Sequence, residues 1–394
     1  SWKRRSIEEF VQTDLVAHSL ADLRRSVPSA IDGLKPSQRK VLHACFAKGL
    51  LPSAAEVKVA QLAGFVIEQT AYHHGEASMH QTIVNMAQDF VGANNVPLLE
   101  PCGQFGTRAD GGRDAASVRY IFTRLGPLSP LLFPAADIPV LSYLEEDGEL
   151  VEPSHFVPVL PVLLLNGASG IGTGWSTTFH GYNPLHVLDN VLAHAEGRAM
   201  RPMVPWAAGF TGEIEMRSGA GRGQPLVADA VHSANKFLSR GVAELTSDGV
   251  VVSELPIGTW TSGYKTWLQE RLSREDVEWK SFAERHTERS VCFAFRHTPE
   301  QLRRLRAAGA PPLHEIFQLE SLHQLGNMHA FNADNELCHF GSPEEIIELH
   351  ADARLSLYAQ RKAHTLDRLD AALAALEAKA RFVSMALSGE LPLF

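Results

Sequence analysis

Gln104-Phe105-Gly106-Thr107-Arg108, a Gly111-Gly112 turn, and then Ala115-Ala116-Ser117-Val118-Arg119-Tyr120-Ile121-Phe122-Thr123 make up the most informative stretch of this chain. Arg119 directly precedes Tyr120, with Arg108 and Arg113 nearby in sequence. Glycines at 103, 106, 111 and 112 would let the backbone come close to a ligand. A tyrosine alone is a poor nucleophile because its phenol titrates near pH 10. Guanidinium charge or a metal ion beside it favours the phenolate, and the same charge stabilises a pentacovalent phosphate. An arginine–tyrosine pair in a glycine-rich basic loop therefore suits phosphoryl transfer to the tyrosine. On spacing alone a plainer alternative stays open, in which the ring is half buried and the arginine is simply solvated.

Upstream of this loop the pattern is helical. Pro36 suits a first helical turn, and Val41, Leu42, Cys45 and Phe46 recur at helical spacing through residue 47. A Gly-Leu-Leu-Pro-Ser turn at 49–53 leads to a second helix at about 57–69 and a third at about 77–91. Such a block is compatible with a helix-turn-helix or winged-helix unit. Downstream, Phe156 to Leu165 is a short apolar run containing Pro158 and Pro161, read as a buried strand or extended segment and too short for a membrane span. Residues 190–340 read as mixed α/β, with a strand at Val250–Glu254 ending at Leu255-Pro256. Ser342-Pro343-Glu344-Glu345 is a helix start. Leu366, Leu369, Leu373, Leu376, Ala380, Val383 and Leu387 then form a heptad seam, as if an antiparallel partner helix were missing.

The 394 residues are too many for one core and predict two or three domains. A content of 45% hydrophobic and 21% charged residues is ordinary for a globular protein. Cys45, Cys102, Cys292 and Cys338 are widely spaced, which argues against a zinc ribbon or disulfide framework and fits a reducing compartment. Ser1 to Arg5 is polar and no apolar segment follows, so no signal peptide is read there. The net charge of −9 opposes a nucleic-acid reading, but it is uneven. Residues 1–125 carry 14 Lys+Arg against 12 Asp+Glu, so a DNA surface would be a local patch in this third.

Several blocks resemble the eukaryotic-type DNA topoisomerase II family (type IIA), in its order and at its approximate spacing. They are Ser26–Lys40, Glu56–Gly64, Tyr72-His73-His74-Gly75-Glu76, Gln104–Arg108, Ala116–Thr123, Asn166–Trp175 and Ser253–Thr261. The resemblance covers nearly the whole chain. It implies an α+β fold: a winged-helix DNA-cleavage domain over 1–190, a tower-like α/β domain over 191–341, and the start of a helical coiled coil over 342–394. It further implies that Tyr120 forms a transient 5′-phosphotyrosyl link for double-strand passage, assisted by Arg119 at the scissile phosphate. Arg25, Lys35, Lys40 and His74 fall where phosphate contacts are expected, and such donors fix register on a duplex without reading bases. Ile171, in Gly170-Ile171-Gly172, falls where the family places an apolar wedge between base pairs, a mode that kinks DNA.

The implied partners are double-stranded DNA, the metal-binding and ATPase domains of the enzyme or of a partner subunit, and a second copy in a homodimer. Mg²⁺ and ATP would be bound outside this chain, no membrane is involved, and a cellular eukaryotic enzyme of this kind is nuclear. Gly167–Gly174 is not a dinucleotide or Walker motif. No metal site is read at His73-His74 with Glu76, since adjacent histidines diverge and no third ligand has useful spacing. Val118 stands where the family usually has proline, and residues 46–56 contain an apparent insertion. No Asp-x-Asp occurs, so the chain reads as a fragment or as one subunit of a split, phage-like enzyme. The alternative is a non-catalytic DNA-binding and bending module.

Overall fold

The helix that Pro36 opens runs to Ala47 in the computed structural model, which describes residues 5–146, 148–217, 234–274, 277–307 and 309–390. Most of the polar stretch read at the N-terminus lies outside the described residues, as do the last four residues of the coiled-coil segment. Two helices precede it, α1 (Ile7–Phe10) and α2 (Val16–Ser26), joined by a π-helical turn at Val11–Leu15. Pro36–Ala47 is α3, and the Gln38 side chain caps it by accepting from the Lys35 N–H at 2.9 Å. Arg39 on α3 grips the buried Asp32 through Nε (2.7 Å) and Nη2 (3.1 Å). Asp32 also accepts from the backbone of Leu34 and Phe156, so one buried carboxylate ties α3 to a segment 124 residues away.

Strand β1 (Val57–Lys58) leads straight into α4 (Val59–Gln69), and α5 (Glu76–Ala87) follows. The second predicted helix thus begins with two strand residues, paired antiparallel to β2 (Phe122–Thr123). The third stops at Ala87, earlier than predicted, because Gln88 turns extended (ψ 131°) and aims its side chain into the loop ahead of Tyr120. Bridges Leu99↔Leu125 and Cys102↔Phe122 widen the β1–β2 pair into a small wing. Helices α3, α4 and α5 with this wing are the winged helix. Its core includes Val41, Leu42, Leu62, Val66, Met79 and Ile83. The apparent insertion is a surface turn whose Leu50 is buried and accepts from Leu125 N–H at 2.9 Å.

Beyond the wing come α6 (Ser129–Leu132), a 3₁₀ turn at Ala135–Val140, and the hairpin β3 (Tyr143–Glu146) and β4 (Glu149–Pro153). The apolar run read as a strand departs from that expectation. Residues 156–161 join no ladder, and Val162–Asn166 forms a short buried helix, α7, capped by Pro161. Two prolines without N–H groups cannot hold a ladder, whereas Pro161 is well placed just ahead of a helical turn. A hairpin, β5 (Ala168–Gly172) and β6 (Trp175–Phe179), and helix α8 (Pro184–Ala195) follow.

The next module contains two antiparallel sheets. One has the order β13-β8-β7, from β7 (Glu213–Arg217), β8 (Lys236–Arg240) and β13 (Glu320–Gln324). The other has the order β11-β12-β10-β9, from β9 (Val242–Leu245), β10 (Gly249–Glu254), β11 (Ser281–Glu284) and β12 (Phe293–Arg296). Helix α9 (Thr261–Leu272) covers the second sheet, and Tyr264, Leu268, Trp279, Phe293, Phe295 and Phe317 form a core separate from that of the winged helix. The predicted strand at 250–254 is present and starts one residue earlier. Helices α10 (Pro299–Arg306) and α11 (Leu313–Ile316) complete this tower-like module.

After the hairpin β14 (His329–Phe331) and β15 (Leu337–His339), Ser342 caps α12 (Pro343–Leu387) by accepting from Glu345 N–H, as its sequence predicts. At about 1.5 Å per residue, its 45 residues reach about 68 Å. The anchored part is its N-terminal portion, through Arg361. Ile346, Ile347, His350, Ala351, Arg354 and Leu357 are buried, and Asp137 binds both Arg354 and Arg361. The predicted seam beyond it, from Leu366 to Leu387, is exposed.

Candidate nucleic-acid interface

A helix N-terminus leaves its first N–H groups without intrahelical partners, and the Tyr120 loop is built on that vacancy. Val59 N–H at the start of α4 donates to Ile121 O (3.0 Å), and Ala60 N–H donates to Val118 O (3.2 Å). Ile121 is buried and Val118 packs on the core, so both flanks of Arg119-Tyr120 are pinned. Tyr120 N–H closes a tight turn on Ser117 O at 2.9 Å. The pair between these anchors faces outward: Tyr120 is 72% exposed, and Arg119 is exposed with no side-chain hydrogen bond or ion pair to any described residue. The position carrying Val118 in place of proline is held by its carbonyl.

The other arginine and the glycines of this loop have different work from that expected. Arg108 is buried, and its guanidinium pairs with Glu254 at the end of β10 while donating to Leu255 O at 3.1 Å. It joins the loop to the tower-like module and contributes no free charge beside Tyr120. The glycines do allow close approach, but to the chain itself. A Cβ on Gly111 would lie 2.4 Å from the Trp260 indole, and one on Gly106 would lie 2.5 Å from Gly112 O. Gln88 Nε2 fastens the fold of the loop by donating to Phe105 O (2.9 Å) and Gly112 O (3.1 Å). Arg113 stays exposed, with Nε donating to Asp110 O.

Ile171 lies on a strand hairpin and is 87% exposed. Strand alternation explains why: Gly170 and Gly172 face α2, where a Cβ would lie 2.0 Å from Ser26 O and 2.9 Å from Leu23 respectively. Glycine on both sides lets the hairpin lie flush on α2 and turns Ile171 outward. Lys35 Nζ donates to Ser169 O at 2.8 Å at the hairpin base, and partial burial lowers the Lys35 pKa. On the other side Asn327 Nδ2 donates to Ser176 Oγ at 3.0 Å, while Thr177 Oγ1 donates to His329 O at 2.7 Å. Arg25 on α2 is exposed and paired with Asp22 at 2.6 Å. Arg25, Lys35 and Ile171 are thus gathered around one hairpin.

Lys40 and His74 stand apart from that hairpin. The Lys40 ammonium donates to Thr70 O and to Glu152 (2.9 Å), so its charge is already balanced within the fold. His74 is exposed just before α5, with its ring edge-on to Tyr72 at 5.5 Å. Its neighbour His73 turns toward Glu146, 3.7 Å away. Two participants escaped sequence reading: Asp22 and Asn327 each lie about 150 residues from the hairpin residue they hold, and neither belongs to a local motif. Among the described residues no group of three His, Cys, Asp or Glu side chains could hold a metal ion. No described helix is long and apolar enough to cross a membrane.

The chain thus combines a winged helix, a flanking module of two antiparallel sheets and a long terminal helix with an exposed heptad seam. The chain belongs to the DNA gyrase/topoisomerase IV A-subunit family, whose model matches residues 25–392. It is 38% identical to the mitochondrial DNA topoisomerase 2 of Dictyostelium discoideum over 99% of this chain and 29% of that protein. It is 41% identical to DNA topoisomerase 2 of Saccharomyces cerevisiae over 98% of this chain and 26% of the other. Its fold matches the crystal structure of the Plasmodium falciparum topoisomerase II DNA-binding, cleavage and re-ligation domain. The TM-score is 0.87 at 36% identity, covering 98% of this chain and 50% of that one. The chain therefore spans about a quarter of the length of the curated relatives it matches.

Proposed function

We propose that this chain is the DNA breakage-and-rejoining part of a type IIA topoisomerase, with Tyr120 as nucleophile. The observation that carries the reading is the pinned turn that holds Tyr120 and a free Arg119 side by side in solvent. Tyr120 Oη attacks a backbone phosphate, loses its proton and forms the 5′-phosphotyrosyl bond as the bond to the 3′ oxygen breaks. That oxygen takes up a proton as the free 3′-OH, and the reverse attack restores the strand. Arg119 supplies positive charge to the pentacovalent phosphate, where preorganised charge acts most strongly. In a homodimer two such tyrosines cut opposite strands, and a second duplex passes through the break.

Arg25, Lys35 and His74 position the duplex through its phosphates, and Ile171 enters between base pairs to kink it. Lys40 supports them from within, through Thr70 and Glu152. The reading divides the chain into a winged-helix domain over 1–190, a tower-like domain over 191–341 and a coiled-coil segment from 342. The tower-like sheets have their own core, while the winged-helix core also takes in Met203, Met328, Ala330 and Phe340 and, from the terminal helix, Ile346 and Ile347. Mg²⁺ and ATP are those of the full enzyme, held by its other domains. A nuclear location is the proposal for a cellular eukaryotic enzyme of this kind; one relative, that of Dictyostelium discoideum, is mitochondrial.

The test mixes the chain with the metal-binding segment of the enzyme, Mg²⁺ and supercoiled plasmid, then traps the products with detergent. The reading expects a covalent protein–DNA adduct that disappears in Tyr120→Phe while DNA binding persists. Binding and bending without any adduct in the wild-type mixture would instead make this a non-catalytic DNA-bending module.

A further inference from the structure

An apolar prong that pushes between base pairs is useful only if it does not fold back under load. Base pairs resist unstacking with a few kcal/mol per step, and the prong must transmit that force to the body of the protein. The base of the Ile171 hairpin is fixed by Lys35 and by the flush packing of Gly170 on α2. Its turn, residues 172–175, packs on α2 at Gly172 and edge-on against His329 through Trp175, contacts that carry little directionality. Among the described residues, one side chain from outside the hairpin hydrogen-bonds to this turn. Asp22 Oδ2 accepts from Thr173 N–H at 2.9 Å and from Thr173 Oγ1 at 3.0 Å.

The other carboxylate oxygen of Asp22 accepts from Arg25 Nη2 at 2.6 Å. A carboxylate beside a surface that meets phosphates is electrostatically unfavourable unless it is matched. Arg25 matches it: with the Thr173 donors, its guanidinium holds the Asp22 carboxyl below the usual carboxylate range. Asp22 therefore stays charged and keeps its bonds to the turn. Both residues lie on α2, three positions apart, so they share one helix face.

We infer that Asp22 is a positioning residue for the wedge: by bridging Arg25 and the Thr173 turn, it couples the seating of a DNA phosphate at Arg25 to the insertion of Ile171. The inference rests on the reading of Ile171 as a wedge. A phosphate drawn to Arg25 fixes the guanidinium, which fixes the carboxylate, which fixes the turn two residues beyond Ile171. Insertion at Ile171 pulls along the same line in reverse.

The test measures bending and binding separately, using the full chain complemented with the metal-binding segment and a duplex labelled at its ends with a fluorescence-transfer pair. Asp22→Ala should lower the bent-to-straight ratio about tenfold at saturating protein, the size expected for losing charge-assisted hydrogen bonds. Binding affinity should change far less. Thr173→Val should lose part of the bending and Thr173→Ser should retain it, because serine keeps the hydroxyl donor; these two variants keep the test open should Asp22→Ala fold poorly. In an Ile171→Ala background Asp22→Ala should have no further effect on bending. Wild-type bending in Asp22→Ala and Thr173→Val, with bending lost in Ile171→Ala, would overturn the role of Asp22 alone. Independent, additive losses would overturn it as well. Wild-type bending in Ile171→Ala would instead remove the wedge reading beneath it.

Discussion

Replacing Arg108 with methionine would leave the Glu254 carboxylate buried without its counter-charge. Both side chains are almost completely buried, and removing one partner of such a pair costs about 3–5 kcal/mol, because the remaining charge stays in a poorly solvated site. The cost here should fall near the lower end. Glu254 would still accept from Leu255 N–H (2.9 Å) and from Thr211 N–H (3.1 Å) and Oγ1 (3.0 Å). Glu254→Gln leaves Arg108 buried without its counter-charge and sets the amide NH2 against either Arg108 or the Thr211 donors, so it should cost at least as much. The double variant removes both charges, so its loss should be smaller than the sum of the single losses by about 2–3 kcal/mol. Urea unfolding followed by tryptophan fluorescence reads this well, because Trp260, Trp267 and Trp279 report on the loop contact and the tower-like core. Additive single and double losses would refute the pair as a coupled link between the loop and the tower-like module.

Three further outcomes follow from the same geometry. Gly111→Ala places a Cβ 2.4 Å from Trp260 at a φ of +62°, so strain and overpacking should destabilise the protein by about 2–4 kcal/mol in denaturant titration. Such a variant should also lose cleavage by Tyr120; full stability would mean that the indole can move aside. Burial holds His350 neutral, with its pKa pushed down from 6.5 to about 4. The unfolded chain takes up that proton near pH 6.5, so the stability contribution is complete above pH 6.5. It is lost as pH falls toward 4, at about 1.4 kcal/mol per pH unit, and His350→Gln should flatten that part of the stability–pH profile. Leu369→Gln with Leu376→Gln should leave the stability of the isolated chain in thermal unfolding unchanged within about 0.5 kcal/mol, because both leucines are already exposed. A clear drop would show that the seam is covered in solution.

Local rules were enough to read much of this protein from its sequence. Pro36 and the Ser342-Pro343-Glu344-Glu345 cap mark helices that start where expected, since capping depends on a few adjacent residues. The strand at 250–254 and the heptad seam follow from periodicity, and the family follows from motif order. Tertiary contacts decided the rest. Sequence places both Arg108 and Arg113 shortly before Tyr120 in one loop, yet Glu254, 146 residues from Arg108, buries that arginine while Arg113 stays in solvent. The loop glycines signal close approach without saying to what, and Trp260, Gln88 and Gly112 provide the answer. Pro158 and Pro161 turn an apolar run away from a ladder and into a short helix. The hairpin displays Ile171 because α2 takes the faces of Gly170 and Gly172, and Asp22 reaches Thr173 across 151 residues. Charge pairing and close packing depend on which distant segments meet, and no local window of sequence contains that information.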